Sequence, residues 1–147
     1  MTTAADPIFI DTNVLVFASI PAAPMHLPAI AALHHVAQAG AASWISRQVI
    51  REFLVQLTRP GVLPYASAAN LAVKQASALM TLYWVADEGP QVTIELFGLL
   101  QAGLATGKQV HDANIVATCL AYGIPRLLTH NVSDFQRYSS LIGIETL

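Results

Sequence analysis

Short apolar runs alternate with longer stretches of helical periodicity along this chain of 147 residues. Apolar runs of three or four residues, bounded by polar or turn residues, are typical of buried strands. They predict strands at residues 8–10, 42–45, 84–86, 126–129 and 144–146. Helices should fill most of the segments between them, with breakers at Pro60-Gly61 and Gly89-Pro90. This order predicts an α/β fold with a parallel sheet and helices on both of its faces.

Two aspartates follow predicted strands. Asp11 ends the first apolar run and precedes a second one, so it lies where a strand passes into a helix. Asp134 follows the fourth strand after a polar run that includes Thr129 and Asn131. In open α/β sheets, ligands bind at this carboxyl end of the strands. Helix capping and turn formation are the alternative roles for these aspartates.

A third acid, Asp112, lies in the first turn of a predicted helix at residues 111–122. Ile115, Val116 and Cys119 follow it at offsets of three, four and seven residues, so Asp112 continues the stripe that faces the core. The helix dipole favours a carboxylate there, but burial without a partner would raise its pKa and cost stability. A cation would remove that conflict, and hydrogen bonds from the first amides of the helix are the alternative.

Glu52 is the acid that the pattern marks least. It lies on a predicted helix at residues 47–58, which Ser46 caps. The apolar face of this helix consists of Ile50, Phe53, Leu54 and Leu57. Glu52 lies off that face, so periodicity alone indicates a glutamate on the solvated surface.

Carboxylates gathered in one place need compensation for their mutual repulsion. Either their pKa values rise or hard cations bind, and a ligand set made only of oxygen atoms suits Mg²⁺ or Mn²⁺. Mg²⁺ held by a few carboxylates keeps several waters and can activate one of them for attack on phosphorus. This chemistry favours hydrolysis of phosphodiester bonds.

Four segments of the chain resemble, in order, the acidic motifs of the PIN-domain nucleases. They are residues 10–15 (IDTNVL), 49–53 (VIREF), 111–117 (HDANIVA) and 129–135 (THNVSDF). Within that family the chain looks most like the VapC-type toxins of bacterial toxin–antitoxin pairs, which are metal-dependent endoribonucleases neutralised by a small antitoxin. The resemblance covers nearly the whole chain. It implies one PIN domain at residues 1–147, with a three-layer α/β/α fold around a parallel sheet of about five strands.

The resemblance also implies roles for individual residues. Asp11 and Asp112 would bind metal directly, and Glu52 would bind metal or position the attacking water. Asp134 would act through water or at a second metal position. All four acids are thus predicted to be metal-binding and catalytic, with Mg²⁺ as the cofactor and Mn²⁺ as a substitute, and this replaces the interpretation of Glu52 as a surface residue. The predicted supporting residues are Thr12, Asn13, Thr129 and Asn131.

Composition changes the expected partners. The chain is 54% hydrophobic and 11% charged, whereas typical soluble domains have about 45–50% and about 25%. No apolar run reaches the roughly 18 residues of a membrane span, and the first six residues carry no basic segment of a signal peptide. We therefore expect a cytoplasmic protein without membrane contact, whose surplus apolar surface is covered by partners. A tightly packed monomer is the alternative. Candidates for an exposed patch are Leu27, Ile30, Leu33 and Val36.

The resemblance supplies the partners that this surplus requires. PIN-like toxins usually form homodimers, and the tail of a VapB-type antitoxin typically lies along a groove that leads to the acids. The substrate implied is RNA. A homodimer with a cognate antitoxin is therefore expected.

The net charge of −2 lacks the basic excess expected for indiscriminate binding to nucleic acid. Two bound Mg²⁺ would change it to +2, because each ion adds two charges. Arg47, Arg51 and Arg59 are predicted on one helix, the first two on one face, where they could contact phosphate. The low positive charge predicts an enzyme that selects a structured RNA such as tRNA or rRNA.

Two other functions stay open. A phosphotransfer enzyme or receiver domain also places an aspartate after its first strand, but a site of the haloacid-dehalogenase type needs a second aspartate where this chain has Asn13. A PIN-like scaffold that binds RNA or protein without cutting usually lacks some of the acids, whereas this chain has all four.

Overall fold

The computed structural model describes residues 4–147. In that range the strands are β1 (Ile8–Ile10), β2 (Ser43–Ser46), β3 (Trp84–Ala86), β4 (Arg126–Leu128) and β5 (Gly143–Glu145). They form one sheet in the order β3-β2-β1-β4-β5, and every neighbouring pair is parallel. The predicted strands are confirmed, with ends that differ by one residue in β2, β4 and β5. β1 is therefore the central strand.

Helices connect the strands and cover the sheet. Within residues 4–147 they are α1 (Thr12–Ser19), α2 (His26–Gln38), α3 (Arg47–Leu57), α4 (Ala68–Leu82), α5 (Pro90–Gln101), α6 (Gln109–Tyr122) and α7 (Val132–Phe135). The chain adds β2 and β3 on one side of β1 and then β4 and β5 on the other. Because parallel crossovers are right-handed, this reversal puts helices on both faces of the sheet. The three-layer α/β/α fold is confirmed.

The reversal of strand order between β1 and β4 fixes where a ligand site can form. Loops from two neighbouring strands separate at such a switch point and leave a crevice at the carboxyl ends of the strands. Asp11 directly follows β1, and Thr129 directly follows β4. The amide of Asp11 donates to the carbonyl oxygen of Leu128 at 3.0 Å, which keeps the two strand ends side by side.

The core is centred on β1. Ile8, Phe9 and Ile10 are fully buried, as expected for a parallel strand covered on both faces. The apolar stripe predicted on α6 is also buried, at Ile115, Val116 and Cys119. Cys119 is a core residue because it is fully buried, and this burial raises the pKa of its thiol.

Local signals set several helix ends, although α6 begins at Gln109, two residues before the predicted start at His111. The hydroxyl of Ser46 caps α3 by accepting from the amide of Val49 at 3.3 Å. Gly123 ends α6 in a left-handed conformation, with φ 66°, which costs glycine little.

The prediction that Arg59 shares a helix with Arg47 and Arg51 is wrong, because α3 ends at Leu57. Pro60 follows Arg59 and disfavours the helical conformation there.

The exposed apolar residues are only partly those predicted. On α2, Leu27 and Ile30 are exposed, whereas Leu33 is half-buried and Val36 is buried. Further large apolar side chains are exposed at Val73 on α4 and at Ile94 and Phe97 on α5. None of the helices in residues 4–147 is long and apolar enough to span a membrane.

Replacement of Phe9 by alanine tests the central position of β1. We expect Phe9→Ala to lower the free energy of unfolding by about 3–5 kcal/mol, because rigid neighbours cannot fill the cavity. Val73→Ala, at a position 57% exposed, is the control and should change it by less than about 0.5 kcal/mol. Urea denaturation of the metal-free protein measures both. Similar losses in the two variants would contradict a core centred on β1.

Candidate active site

Asp11 is a helix cap at the carboxyl end of the central strand. Its Oδ1 accepts a hydrogen bond from the amide of Thr12 at 2.7 Å, which makes it the N-cap of α1. Its Oδ2 accepts from the hydroxyl of Thr129 at 2.7 Å and from the side-chain amide of Asn13 at 3.0 Å. The residue is only 6% exposed. Three donors therefore hold a buried carboxylate in one orientation.

Two further hydrogen bonds order the loops after β1 and β4, one within the loop after β4 and one between the two loops. The hydroxyl of Thr129 accepts from the amide of Asn131 at 3.0 Å. The side-chain oxygen of Asn13 accepts from the amide of His130 at 3.0 Å. The predicted supporting residues thus contact Asp11 or a partner of Asp11. Their support of a catalytic site stays a prediction.

Glu52 is half-buried beside this network. Its Oε2 accepts from the hydroxyl of Thr12 at 2.7 Å, and its Oε1 accepts from the side chain of Gln48 at 2.8 Å. The interpretation from periodicity, a solvated surface glutamate, is therefore wrong. The flank of α3 that looked exposed in the sequence faces the end of β1, and tertiary contact decides its burial.

Asp112 and Asp134 are free of such partners. Asp112 is half-buried in the first turn of α6, and Asp134 is exposed on α7. Within residues 4–147, no hydrogen bond to either carboxylate is formed, and α6 has no side-chain cap. The alternative in which amides at the helix start satisfy Asp112 is therefore not observed.

Burial dominates the electrostatics of Asp11. It raises the pKa of this carboxyl to about 6, against the hydrogen bonds from Thr129 and Thr12, which lower it. The charges of Glu52 and Asp112 raise the pKa further. The end of β1 therefore carries negative charge that neutral donors compensate only in part.

Asp112 is linked to the remaining acids. Burial raises its pKa most, followed by the charges of Asp134 and Glu52. The charges of His111 and Arg137 oppose that rise. Through Asp112, the electrostatic coupling extends from Asp11 and Glu52 to Asp134.

An open cleft of about 450 Å³ lies over these residues. Asp11, Glu52 and Asp112 line it, whereas Asp134 is outside the lining. Arg51, which the sequence predicted to contact phosphate, also lines the cleft. The sequence did not indicate the remaining walls, which contain Val16, Phe17, Val55 and Gln56. The apolar residues among them have the same spacing as core residues, so no local signal marked them.

The two arginines predicted to contact phosphate lie on one face of α3, but each already forms an ion pair with an acid. The side chain of Arg47 contacts Asp87 at 2.9 Å, and that of Arg51 contacts Glu88 at 3.2 Å. Both pairs are exposed, and such pairs contribute at most about 1 kcal/mol. A stronger anion could therefore displace either carboxylate.

The donor set fits a hard divalent cation. The acids offer only oxygen atoms, the ligands that Mg²⁺ and Mn²⁺ prefer. Asp112 and Asp134 have unshared oxygens, and the raised pKa of Asp11 reflects uncompensated charge. In the part of the chain that the structure describes, no three His, Cys, Asp or Glu side chains are grouped closely enough to hold a metal ion as they stand. Because Mg²⁺ keeps several waters, one or two direct carboxylates are sufficient.

Comparison with solved structures supports the fold. A chain of the VapBC2 complex of Rickettsia felis matches with TM-score 0.69 and 21% identity over 95% of this chain and 98% of that chain. That complex is bound to a DNA fragment from its own promoter. A chain of FitAcB from Neisseria gonorrhoeae matches with TM-score 0.71 and 14% identity over 94% and 96%. VapC20 of Mycobacterium tuberculosis, a sarcin-ricin loop cleaving toxin, matches with TM-score 0.63 and 18% identity over 82% and 86%.

Sequence comparison adds no relative. No protein-family model matches the chain, and no curated protein matches it. The structural likeness, at these low identities, establishes that the chain has the three-layer PIN-like fold of the toxins.

The raised pKa of Asp11 predicts a pH-dependent cost. Asp11 titrates at about 6 in the folded protein against an ordinary 3.8, a difference worth about 3 kcal/mol. Asp11 therefore binds its proton more tightly in the folded state than in the unfolded state. The stability that this protonation contributes is complete below pH 3.8 and is lost as pH rises through about 6.

We therefore expect the free energy of unfolding of Asp11→Asn, relative to wild type, to rise by up to about 3 kcal/mol between pH 4 and pH 7. Urea denaturation of both proteins in chelator measures this difference, and the comparison cancels the titration of the acids that do not interact with Asp11. A difference that stays constant with pH would contradict the burial of an ionised Asp11.

Proposed function

We propose that this protein is a metal-dependent endoribonuclease that hydrolyses phosphodiester bonds in structured RNA, either tRNA or rRNA. It would act as the toxin of a type II toxin–antitoxin pair in the cytoplasm. The observation that carries the proposal is the convergence of Asp11, Glu52 and Asp112, from three separate elements, on one cleft at the end of β1. The likeness to VapC20, a toxin that cleaves the sarcin-ricin loop, supports RNA as the substrate.

Each acid of the cleft has a role in the proposed reaction. Asp11 and Asp112 would hold Mg²⁺ or Mn²⁺, and Asp134 would act through water beside Asp112. A bound divalent cation would lower the pKa of a water and neutralise charge that develops on the leaving oxygen. Glu52, fixed by Thr12 at one oxygen, would orient the attacking water or complete the metal site.

The remaining walls suit one nucleotide next to the acids. Arg51 lies in the cleft lining and is held only by an exposed ion pair with Glu88. A phosphate would compete well for its guanidinium, which binds such oxygens in a bidentate manner. Phe17 and Val55 offer apolar surface for a base that is unstacked from its neighbours, as in an RNA loop.

A PIN-like scaffold that binds RNA or protein without cutting is the second candidate. One observation favours it: among the described residues, no three potential ligands stand close enough to hold a metal ion without movement. A phosphotransfer enzyme is disfavoured because Asp11 is 6% exposed and both of its oxygens already accept hydrogen bonds.

Partners would cover the apolar surface. We propose a homodimer and a VapB-type antitoxin, which the occurrence of structural neighbours in VapBC complexes supports. Leu27 is 75% exposed, and Ile94 and Phe97 are about 60% exposed one helical turn apart. Val55 is exposed inside the cleft, so an antitoxin segment could lie along the cleft and bury it.

Cleavage of RNA by the purified protein, free of any antitoxin, tests the function. With Mg²⁺ or Mn²⁺ we expect discrete fragments from total bacterial RNA, and none in chelator. Asp11→Asn should reduce the rate at least about 100-fold, because loss of several kcal/mol of metal-assisted stabilisation corresponds to such a factor. Asp6→Asn is the control: Asp6 is exposed and precedes β1, at the opposite end of that strand. Intact RNA under all conditions would move the proposal to the binding scaffold.

The oligomeric state tests the partner proposal separately. Sedimentation equilibrium at micromolar concentration should give twice the 15.7 kDa mass of the chain. Specific dimers bury apolar surface that a monomer of this composition would leave in water. A mass of one chain at that concentration would count against the homodimer and leave the nuclease proposal untouched.

A further inference from the structure

Gln48 is a buried amide between two helices that carry acids. It is 5% exposed and lies on α3, one turn before Glu52. Its Nε2 donates to Oε1 of Glu52 and to the carbonyl oxygen of His111, both at 2.8 Å. Its Oε1 accepts from the side-chain amide of Asn114 at 2.8 Å. All three contacts are short, and two of them reach α6.

The partners of Gln48 fix the orientation of its amide. The nitrogen faces a carboxylate and a carbonyl, which can only accept, and the oxygen faces the NH₂ group of Asn114, which can only donate. A flipped amide would lose all three hydrogen bonds at once. Gln48 therefore has one stable arrangement, and this arrangement aims an N–H at Glu52.

Through Gln48, hydrogen bonds connect the elements of three acids. Thr12, which follows Asp11, donates to one oxygen of Glu52 at 2.7 Å, and Gln48 donates to the other oxygen at 2.8 Å. Gln48 then reaches the carbonyl of His111, the residue before Asp112. The path runs from the end of β1 through α3 to the first turn of α6. It sets the position of Glu52 relative to both aspartates.

A neutral donor suits this position better than the alternatives. Glu52 and Asp112 carry like charges on neighbouring elements and line the same cleft, so they repel each other. A lysine or arginine at position 48 would hold them together but would also cancel the charge that attracts a cation. An apolar residue would leave the two acids free to separate. An amide restrains them and leaves their charge unchanged.

We propose that Gln48 is a positioning residue for divalent-cation binding, which holds Glu52 at a set distance from the first turn of α6, with Asn114 fixing its amide. The inference rests on the proposed function only in that the acids bind a cation; RNA cleavage is not required. Partners that orient metal ligands typically change metal affinity by about 10- to 100-fold when removed. Gln48 and Asn114 would therefore influence a site that they do not line.

The test is isothermal titration calorimetry. Metal-free protein is titrated with Mn²⁺ at a temperature well below the melting temperature of each variant. Gln48→Met keeps the length of the side chain but removes its hydrogen bonds, and we expect Mn²⁺ affinity to fall about 10- to 100-fold. Gln91→Met is a matched control, because Gln91 on α5 donates to Glu95 four residues later at 3.2 Å, in an exposed pair outside the cleft lining. It should change Mn²⁺ affinity less than about twofold, since no contact that orients a residue of the cleft is lost.

Asn114→Ala provides a second variant that leaves Gln48 in place, so it carries the test if Gln48→Met does not fold. We expect it to weaken Mn²⁺ binding by several-fold, because one of the contacts that fix the amide is lost. The double variant should bind Mn²⁺ about as weakly as Gln48→Met alone, since residues in one network are not additive. Additive losses would contradict action through one network.

The outcomes separate this inference from the ribonuclease proposal. Lower melting temperatures with unchanged Mn²⁺ affinity in both variants would make Gln48 and Asn114 structural only and overturn the inference. Absence of Mn²⁺ binding by the wild type would also overturn it. A wild type that binds Mn²⁺ but cuts no RNA would remove the ribonuclease proposal, and the affinity ratios of the variants would still decide the role of Gln48.

Discussion

The burial of the Asp11 carboxylate at the end of the central strand is the constraint on which the site depends. A charge in that position is costly unless donors or a cation compensate it. The chain supplies three neutral donors, and they come from both sides of the switch point: Thr12 and Asn13 after β1, and Thr129 after β4. The fold therefore assembles the site by the same strand order that closes the core, because β1 and β4 are neighbours.

Much of this arrangement could be predicted from the sequence because its signals are local. Buried parallel strands appear as apolar runs between turn residues, so their ends were predicted within one residue. Asp112 continues an apolar stripe of α6, and Asp11 ends an apolar run. The motif resemblance added Glu52, which periodicity assigned to the surface. The helical prediction for Arg59 is wrong because Pro60 disfavours the helical conformation of the residue before it.

The rest depends on contacts between elements that are distant in the chain. Gln48 and Asn114 are 66 residues apart, and only the fold, which brings the start of α3 next to the start of α6, makes them partners. The one local signal was the spacing of Gln48 and Glu52, four residues apart on a helix, which places their side chains together. The walls formed by Phe17 and Val55 gave no signal, because an apolar residue beside a cleft has the same pattern as one beside the core.

Compensation of the carboxylates by neutral donors explains how the acids can be restrained while the site stays able to attract a cation. Neutral hydroxyls and amides restrain Asp11 and Glu52, whereas two nearby arginines are used elsewhere: Arg47 and Arg51 pair with acids of the loop after β3. Hydrogen bonds of this kind restrain orientation but do not cancel a full charge. The negative potential at the end of β1 therefore persists, and its cost to folding would lessen if a cation bound the folded state, since such binding stabilises that state by mass action. In this protein, the same buried charge that weakens the metal-free fold would provide the affinity of the proposed cation site.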